Sequence, residues 1–316
     1  MRIFVSGSLA YDRIMNFPGR FVDHILPEKI HILNVCFMVN GLTERFGGTA
    51  GNIAYNLSLL GEKPVIVATA GRDFGPYREW LAQLGLPLTG IKEIPEEFTA
   101  GAYITTDLAD NQITGFNPGA MKHTSDYRFG DLDPSATLAI VAPGSLEDMR
   151  IYTRAYKYQG VRYIFDPGQS IPAWGGDELK EMATGALALI VNDYELELFR
   201  QKTGLDVPGL LKLTPRLITT RGEQGSLVQT DRGGDDVPAV PASQVLDPTG
   251  AGDAYRAGLL KGLALGLNWP EAARMGAVLA SFCVEQQGTQ EHRLEVPEFW
   301  GRYTEHFGAP PAAPSR

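Results

Sequence analysis

Short runs of consecutive apolar residues recur along the chain: Ile3–Val5, Val65–Ala68, Leu138–Val141, Tyr163–Phe165, Leu187–Val191 and Leu217–Thr219. Strands buried on both faces have this character, so the runs predict a parallel sheet. Between several of them lie helix-length amphipathic stretches. In Asp73–Leu84, Asp73 stands at the N-cap, Trp80, Leu81 and Leu84 line one face, and Gly85 supplies the stop. Strand and helix in alternation predict a three-layer α/β/α sandwich with a mostly parallel central sheet.

Two stretches break that rhythm. Residues 12–46 and 98–118 hold alternating or β-branched segments, such as Ile30–Val39 and Ala102–Thr106, without a helix-length period. They predict a small β-sheet lid of four or five strands over a core made of residues 1–11, 47–97 and 119–307; an irregular surface excursion is the alternative. In Ile30–Val39 both alternating sets are largely apolar. Ile30, Ile32, Cys36 and Met38 share one face, and Leu33, Val35, Phe37 and Val39 the other. A thin strand apolar on both sides needs a second contact, either with other lid residues or with a second copy of the chain in a homodimer. The Pro- and Ala-rich stretch 308–316 is expected to be a flexible tail.

Composition narrows the function classes. With 316 residues, 44% hydrophobic and 21% charged, the chain can bury a large core and lies far from the composition of disorder. A net charge of −9 argues against nucleic acid and anionic membrane as partners, because both are held by clustered Lys and Arg. Any phosphate must be bound locally. The two cysteines, Cys36 and Cys283, have no zinc or disulfide spacing, which suits a reducing cytoplasm. No secretory leader pattern and no apolar run of about 18 residues occur, so a cytoplasmic location is expected.

The richest chemistry lies in Asp247-Pro248-Thr249-Gly250-Ala251-Gly252-Asp253. Small residues at 250–252 allow a tight turn into a helix whose unpaired N–H groups form an anion hole. Asp253, in the first helical turn, is placed to take a proton from a substrate hydroxyl, and the helix N-terminus favours its ionised form. Alone, the pattern also describes an ordinary helix start. Phe46-Gly47-Gly48-Thr49-Ala50-Gly51-Asn52 offers a two-glycine hinge and, in Asn52, a donor and acceptor for vicinal hydroxyls; alone it is also a plain strand-to-helix turn. The first strand ends Ser6-Gly7-Ser8-Leu9-Ala10-Tyr11-Asp12, which lacks the glycines of a dinucleotide fold. Asn192-Asp193-Tyr194-Glu195 reads first as a helix cap, with Asn192 or Asp193 at the cap position.

Together these strings resemble the two signatures of the ribokinase (PfkB) family, over about residues 2–292. The resemblance implies a ribokinase-like fold and an ATP-dependent kinase with Asp253 as catalytic base and Gly250, Ala251 and Gly252 as the anion hole. It implies substrate contacts at Ser8, Asp12, Gly47, Gly48 and Asn52, with Asp12 taking two ribose hydroxyls. Asn192 and Glu195 resemble the family's N-x-x-E motif, whose glutamate acts through water on Mg2+, and Thr220, Gly222 and Gly225 its nucleotide loop. A monovalent cation such as K+ is a further family cofactor.

Strings outside the signatures, among them Phe17-Pro18-Gly19-Arg20-Phe21, Phe116-Asn117-Pro118-Gly119-Ala120-Met121, Asp166-Pro167-Gly168-Gln169 and Gly288-Thr289-Gln290-Glu291, resemble bacterial adenosine kinases. On that likeness Phe116 offers a face and Gln169 an edge to a purine, and Cys36 stands in the second lid strand where a serine is expected. Ala102 replaces an expected phenylalanine, which opens the base slot. The expected reaction is phosphorylation of adenosine to AMP on the 5'-hydroxyl, with ribokinase or another sugar or purine-nucleoside kinase as the alternative. A nucleoside-binding protein without catalysis is the third reading, which an intact Asp253 disfavours.

Overall fold

A computed structural model describes residues 1–311; positions 312–316, the end of the expected tail, lie outside the described residues. Thirteen strands form two sheets: β1 Arg2–Ser6, β2 Ala10–Asn16, β3 Asn40–Gly47, β4 Val65–Gly71, β5 Ile91–Ile94, β6 Ala100–Thr106, β7 Gln112–Asn117, β8 Thr137–Val141, β9 Arg162–Phe165, β10 Ala188–Asn192, β11 Leu217–Thr220, β12 Ser226–Thr230 and β13 Gly233–Val237. The helices are α1 Thr49–Leu59, α2 Gly75–Gln83, α3 Leu146–Tyr158, α4 Gly176–Ala183, α5 Asp193–Thr203, α6 Val207–Leu210, α7 Ala251–Ala264, α8 Trp269–Cys283 and α9 Val296–Phe307.

Every apolar run named above lies on a strand of the nine-stranded sheet, whose order is β13-β12-β11-β10-β9-β8-β1-β4-β5. Strands β5 to β11 of that sheet, with β1 and β4, pair in parallel, and β12 and β13 add an antiparallel edge. Alternate residues feed two separate cores. Ile3, Val5, Ile66, Ile140 and Ile190 pack with α1, α2, α7, α8 and α9. Phe4, Val67, Val141, Phe165 and Val191 pack with α3, α4 and α5 on the opposite face. That is the three-layer sandwich, and it explains why these strands read as unbroken apolar runs: both faces are dry.

The chain leaves β1 for β4 on one side and returns to β8 on the other. In an open α/β sheet such a reversal creates a crevice at the carboxyl ends of the strands. The second sheet, in the order β3-β2-β6-β7, stands beside it and corresponds to the lid. Its register aligns Ala10 with both Gly47 and Ala100, and Gly101 with Asn117, so all four strands meet the core along one edge.

Two local expectations fail. Ile30–Val39 is not a strand. Pro27 opens a 3-10 turn over Pro27–Ile32, and β3 begins only at Asn40, opposite the last residue of β2, so residues 30–39 have no strand to pair with. Cys36 is therefore exposed outside any lid strand, and Phe37 folds back against Phe17 and Phe21. The two-faced strand argument for a homodimer goes with it, although Ile30, Ile32 and Met38 remain exposed. Nor does Asp73 cap a helix: α2 starts at Gly75 with Phe74 at its cap.

Asp73 instead ties the lid to the core. Its Oδ2 accepts from Arg13 Nη2 of β2 at 3.0 Å and its Oδ1 from the Thr99 N–H at 2.7 Å. Arg13 also reaches Glu44 Oε2 at 2.7 Å and the Tyr103 hydroxyl at 3.0 Å, both on lid strands. Burial alone would raise the Asp73 carboxyl, but the Thr99 and Arg13 hydrogen bonds outweigh it and hold it below its ordinary value. In urea unfolding, Asp73→Ala should cost roughly 1–3 kcal/mol, since it strands a half-buried arginine and a backbone donor. Glu44→Ala, at a more exposed pair, should cost less than about 1 kcal/mol.

Candidate active site

A cleft of about 300 Å3 opens at the carboxyl ends of β8 to β11. Pro143 follows β8, Asp166, Gly168 and Gln169 follow β9, Asn192 ends β10 and Thr220 ends β11; Thr49, Glu195, Gly250, Gly252, Asp253 and Arg256 complete the lining. Parallel strands deliver successive loops to one line, so residues far apart in sequence converge there.

Gly250 turns the chain into α7 at φ +83°, a left-handed conformation that costs a residue with a Cβ. The first N–H groups of α7 have no intrahelical acceptor; Gly250 and Gly252 line the cleft there, while the Ala251 N–H donates to the Pro248 carbonyl at 3.3 Å. Asp253, in that first turn, is half-buried in the wall of the cleft. Its Oδ2 accepts from Asn52 Nδ2 at 2.8 Å. Burial pushes its carboxyl up to about 6, with Asp166 and Glu195 adding to the rise and Arg256 and Asn52 opposing it. The expected preference for the ionised form at a helix start is thus outweighed: the partial charge of the helix end is worth less than the desolvation of a half-buried carboxylate.

Arg256, one turn further along α7, was not singled out from sequence, and neither was Asp166. They form a buried two-point ion pair: Arg256 Nη2 donates to Asp166 Oδ1 at 2.8 Å and Nε to Oδ2, while Nη1 donates to the Gly252 carbonyl at 3.0 Å. A signal was present. Arg256 stands within Ala254–Leu260 of α7, where every other residue is small, apolar or aromatic, on a face that must be buried.

Asn192 is the cap of α5, settling the choice between it and Asp193. Its Oδ1 accepts from the Glu195 N–H at 2.7 Å and Glu195 Oε2 accepts from the Asn192 N–H at 2.8 Å, a reciprocal capping box. Burial raises the Glu195 carboxyl, partly offset by that N–H. Among the described residues, none donates a hydrogen bond to the second oxygen of Glu195. Asp166, Glu195 and Asp253 against Arg256 give the cleft an excess of negative charge that suits a hard cation. Among the described residues no cluster of three or more ligand side chains forms a closed metal cage. A Mg2+ that keeps its water and arrives with phosphates is compatible with this donor set.

The other expected residues fall into four groups. Asp12, Gly47, Gly48 and Asn52 gather where lid meets core. A Cβ on Gly47 would lie 2.7 Å from Asp12 Oδ2, so the carboxylate rests against bare backbone. Burial, reinforced by Asp247, raises the Asp12 carboxyl, while Arg45 opposes the shift. Ser8 acts as a brace, its hydroxyl accepting from the Thr49 N–H at 3.0 Å. Gly222 and Gly225 flank the turn after β11 beside the cleft wall at Thr220. Phe116 lies on β7 directly opposite Ala102 and is 54% exposed, and Cys36 is exposed as well; neither lines the cleft.

A doubly wound sheet, a glycine-bounded helix start at the cleft and a half-buried carboxylate behind it suit the handling of a phosphoryl group. Residues 10–296 match the family model of the pfkB family carbohydrate kinases. The chain belongs to that family and is a phosphotransferase. It is 32% identical over 269 residues to a nucleoside kinase of Methanocaldococcus jannaschii, covering 83% of this chain and 87% of that one. Its structure is similar to that of Burkholderia thailandensis nucleoside kinase in complex with inosine, with a TM-score of 0.86 at 39% identity over 98% of this chain and 99% of that chain. Likeness to a ribokinase from Thermotoga maritima, TM-score 0.78 at 21% identity over 96% of this chain and 99% of that chain, concerns the fold alone. Among the described residues no helix is long and apolar enough to cross a membrane.

The acidity of Asp253 is open to direct measurement. In a 13C-carboxyl titration, the signal lost in Asp253→Asn should have its midpoint at about pH 6. A midpoint near the ordinary value of about 4 would show that the helix start outweighs burial.

Proposed function

We propose that this chain transfers the γ-phosphate of ATP to the 5'-hydroxyl of a purine ribonucleoside, adenosine among them. The observation that carries the reading is Asp253: a half-buried, hydrogen-bonded carboxylate directly behind a helix start whose Gly250 and Gly252 line the same cleft. In this reading Asp253 accepts the hydroxyl proton as the oxygen attacks phosphorus. The N–H groups at Gly250, Ala251 and Gly252 take up the charge that builds on the phosphoryl oxygens, and ADP departs. With its carboxyl at about 6, Asp253 is mostly ionised at neutral pH and loses its capacity as the pH falls through 6. Mg2+, held through water by Glu195, would neutralise phosphate charge. The related Burkholderia kinase, described in complex with ADP and inosine, supports the same pair of ligands here.

Asp12 reads the ribose diol, since a carboxylate can accept from both hydroxyls. Gln169 lines the cleft and can meet the purine edge. Its amide offers both a donor and an acceptor, so it suits a 6-amino and a 6-oxo ring alike. Phe116 stands outside the cleft in this structure and would reach the base only as the lid swings in; with Ala102 opposite it, the lid then brings one aromatic face rather than two, which favours a broad purine slot.

ATP consumption against adenosine, inosine, guanosine, ribose and fructose tests the assignment. Purine nucleosides should exceed both free sugars in kcat/KM, and ribose used as well as adenosine would make the chain a sugar kinase. Asp253→Asn should lower turnover by roughly 10²–10⁴-fold; turnover within about twofold of wild type would remove Asp253 from the mechanism. Pairing of two lids through the exposed Ile30, Ile32 and Met38 is part of the same reading. Light scattering should then give twice the 34.4 kDa chain mass, and a single species at 34.4 kDa at high concentration would exclude it.

A further inference from the structure

Between the lid edge and Asp253 lies a set of buried polar side chains that the reaction as described leaves unused. Trp80 Nε1 donates to Gln290 Oε1 at 3.0 Å. Gln290 Nε2 donates to Asn52 Oδ1 at 3.1 Å and to the Tyr77 hydroxyl at 2.6 Å. Asn52 Nδ2 donates to Asp253 Oδ2 at 2.8 Å, and the Tyr77 hydroxyl donates to the Gly47 carbonyl at 2.8 Å. Tyr77, Gln290 and Asn52 are all buried, and they come from three separate segments of the chain.

The direction of these bonds is not free. An indole N–H can only donate, and an ionised carboxylate can only accept. With Trp80 at one end, Gln290 must turn its oxygen to the indole and its NH2 inward. Asn52 then meets a donor and must turn its own oxygen toward Gln290, which leaves its NH2 for Asp253. Two amides that could each face either way are thereby fixed by the groups at the ends. Because Tyr77 accepts from Gln290, its single proton is left for Gly47, on the row where the lid strands meet the core. Space is reserved for this arrangement: a Cβ on Gly51 would lie 1.9 Å from the Tyr77 hydroxyl oxygen.

We propose that Trp80, Gln290 and Tyr77 are positioning residues for phosphoryl transfer: they set the direction of the Asn52 amide, and with it the orientation of the Asp253 carboxylate, and tie both to the lid edge at Gly47. This rests on Asp253 being the base. With one oxygen occupied by Asn52, Asp253 presents the other to the hydroxyl. Loss of the Asn52 donor should raise the Asp253 carboxyl further, because that hydrogen bond favours the charged form. The other groups facing Asp253 are Arg256, Asp166 and Glu195, with Cys283 and Tyr77 also within its field. Of these only Tyr77 touches Gln290, which donates to its hydroxyl, so Gln290→Glu changes that contact and adds a negative charge, whereas Trp80→Phe touches none of them and isolates the amide direction.

Gln290→Glu is the sharpest test. The new carboxylate has no proton for Asn52, so the Asn52 amide must turn round and present its oxygen to Asp253. Turnover with the purine nucleoside should fall roughly 10–100-fold. The acid limb of kcat should move up by about one pH unit, while KM for ATP stays within about twofold. Trp80→Phe, at a half-buried position, removes only the indole N–H and should move the acid limb the same way by a smaller step; it serves as the primary test should Gln290→Glu fail to fold. A role in packing alone would lower the melting temperature without moving the limb. Tyr77→Phe cuts the lid arm and should raise ATP hydrolysed per nucleoside phosphorylated severalfold. If the acid limb of these Gln290 and Trp80 variants matches wild type while Asp253→Asn is inactive, the relay is overturned and the base assignment stands. If Asp253→Asn keeps its turnover, both fall together.

Discussion

The Asp166–Arg256 ion pair is the constraint around which the cleft is built. Placing two charges in a dry interior costs several kcal/mol for each ion, and only a two-point, hydrogen-bonded geometry offsets it. Here Asp166 comes from the carboxyl end of β9 and Arg256 from the second turn of α7, so their union fixes the helix start against the sheet. The third guanidinium contact, to the Gly252 carbonyl, holds the turn whose Gly250 and Gly252 line the cleft. Among the described residues the same arginine is the one positive charge lining a cleft with three carboxylates. Without it Asp253 would be raised still further, and Glu195 with it. Position and charge of the site are thus set by a single contact.

The sheet explains why such distant residues could be brought together. Each parallel strand ends at the same level, and each contributes one short loop: Pro143, Asp166 to Gln169, Asn192, Thr220. The helices behind those loops cover one face or the other, leaving the strand ends open. Asp12, Gly47 and Asn52 arrive from the opposite direction, on the first strands of the small sheet and the start of α1. Asn52 and Asp253 join the two halves through one 2.8 Å hydrogen bond.

How much of this was legible in the sequence depended on whether the determinant was local. The six buried strands were legible because burial on both faces writes itself as an unbroken apolar run. The α5 cap was legible because Asn192 and Glu195 satisfy each other within one turn, and the α7 start because a left-handed turn calls for glycine. Ile30–Val39 misled because alternation reports only the side-chain pattern, while a strand also needs a neighbour, and β2 had ended at Asn16. Asp73 looked like a cap until a partner 60 residues earlier, Arg13, claimed its carboxylate. The Arg256 pair spans 90 residues, and the Trp80, Gln290 and Asn52 relay draws on three segments. The acidity of Asp253 could not be read locally either, since the helix end is written in the sequence and the depth of burial is not.

The edge where Gly47, Ala10, Ala100 and Asn117 line up has a mechanical meaning. A domain on a single tether can tumble. A plate fixed along one side by four chain crossings can do little but swing about that line. β1 and β2 are separated by three residues, and β3 and α1 by one, so slack at the crossings is small. The small sheet is therefore left with essentially one easy coordinate, and thermal motion along it carries Asp12 toward or away from the cleft like a door on its jamb. Search over orientations, which dominates the entropy of bringing loosely joined bodies together, is largely settled before any ligand arrives.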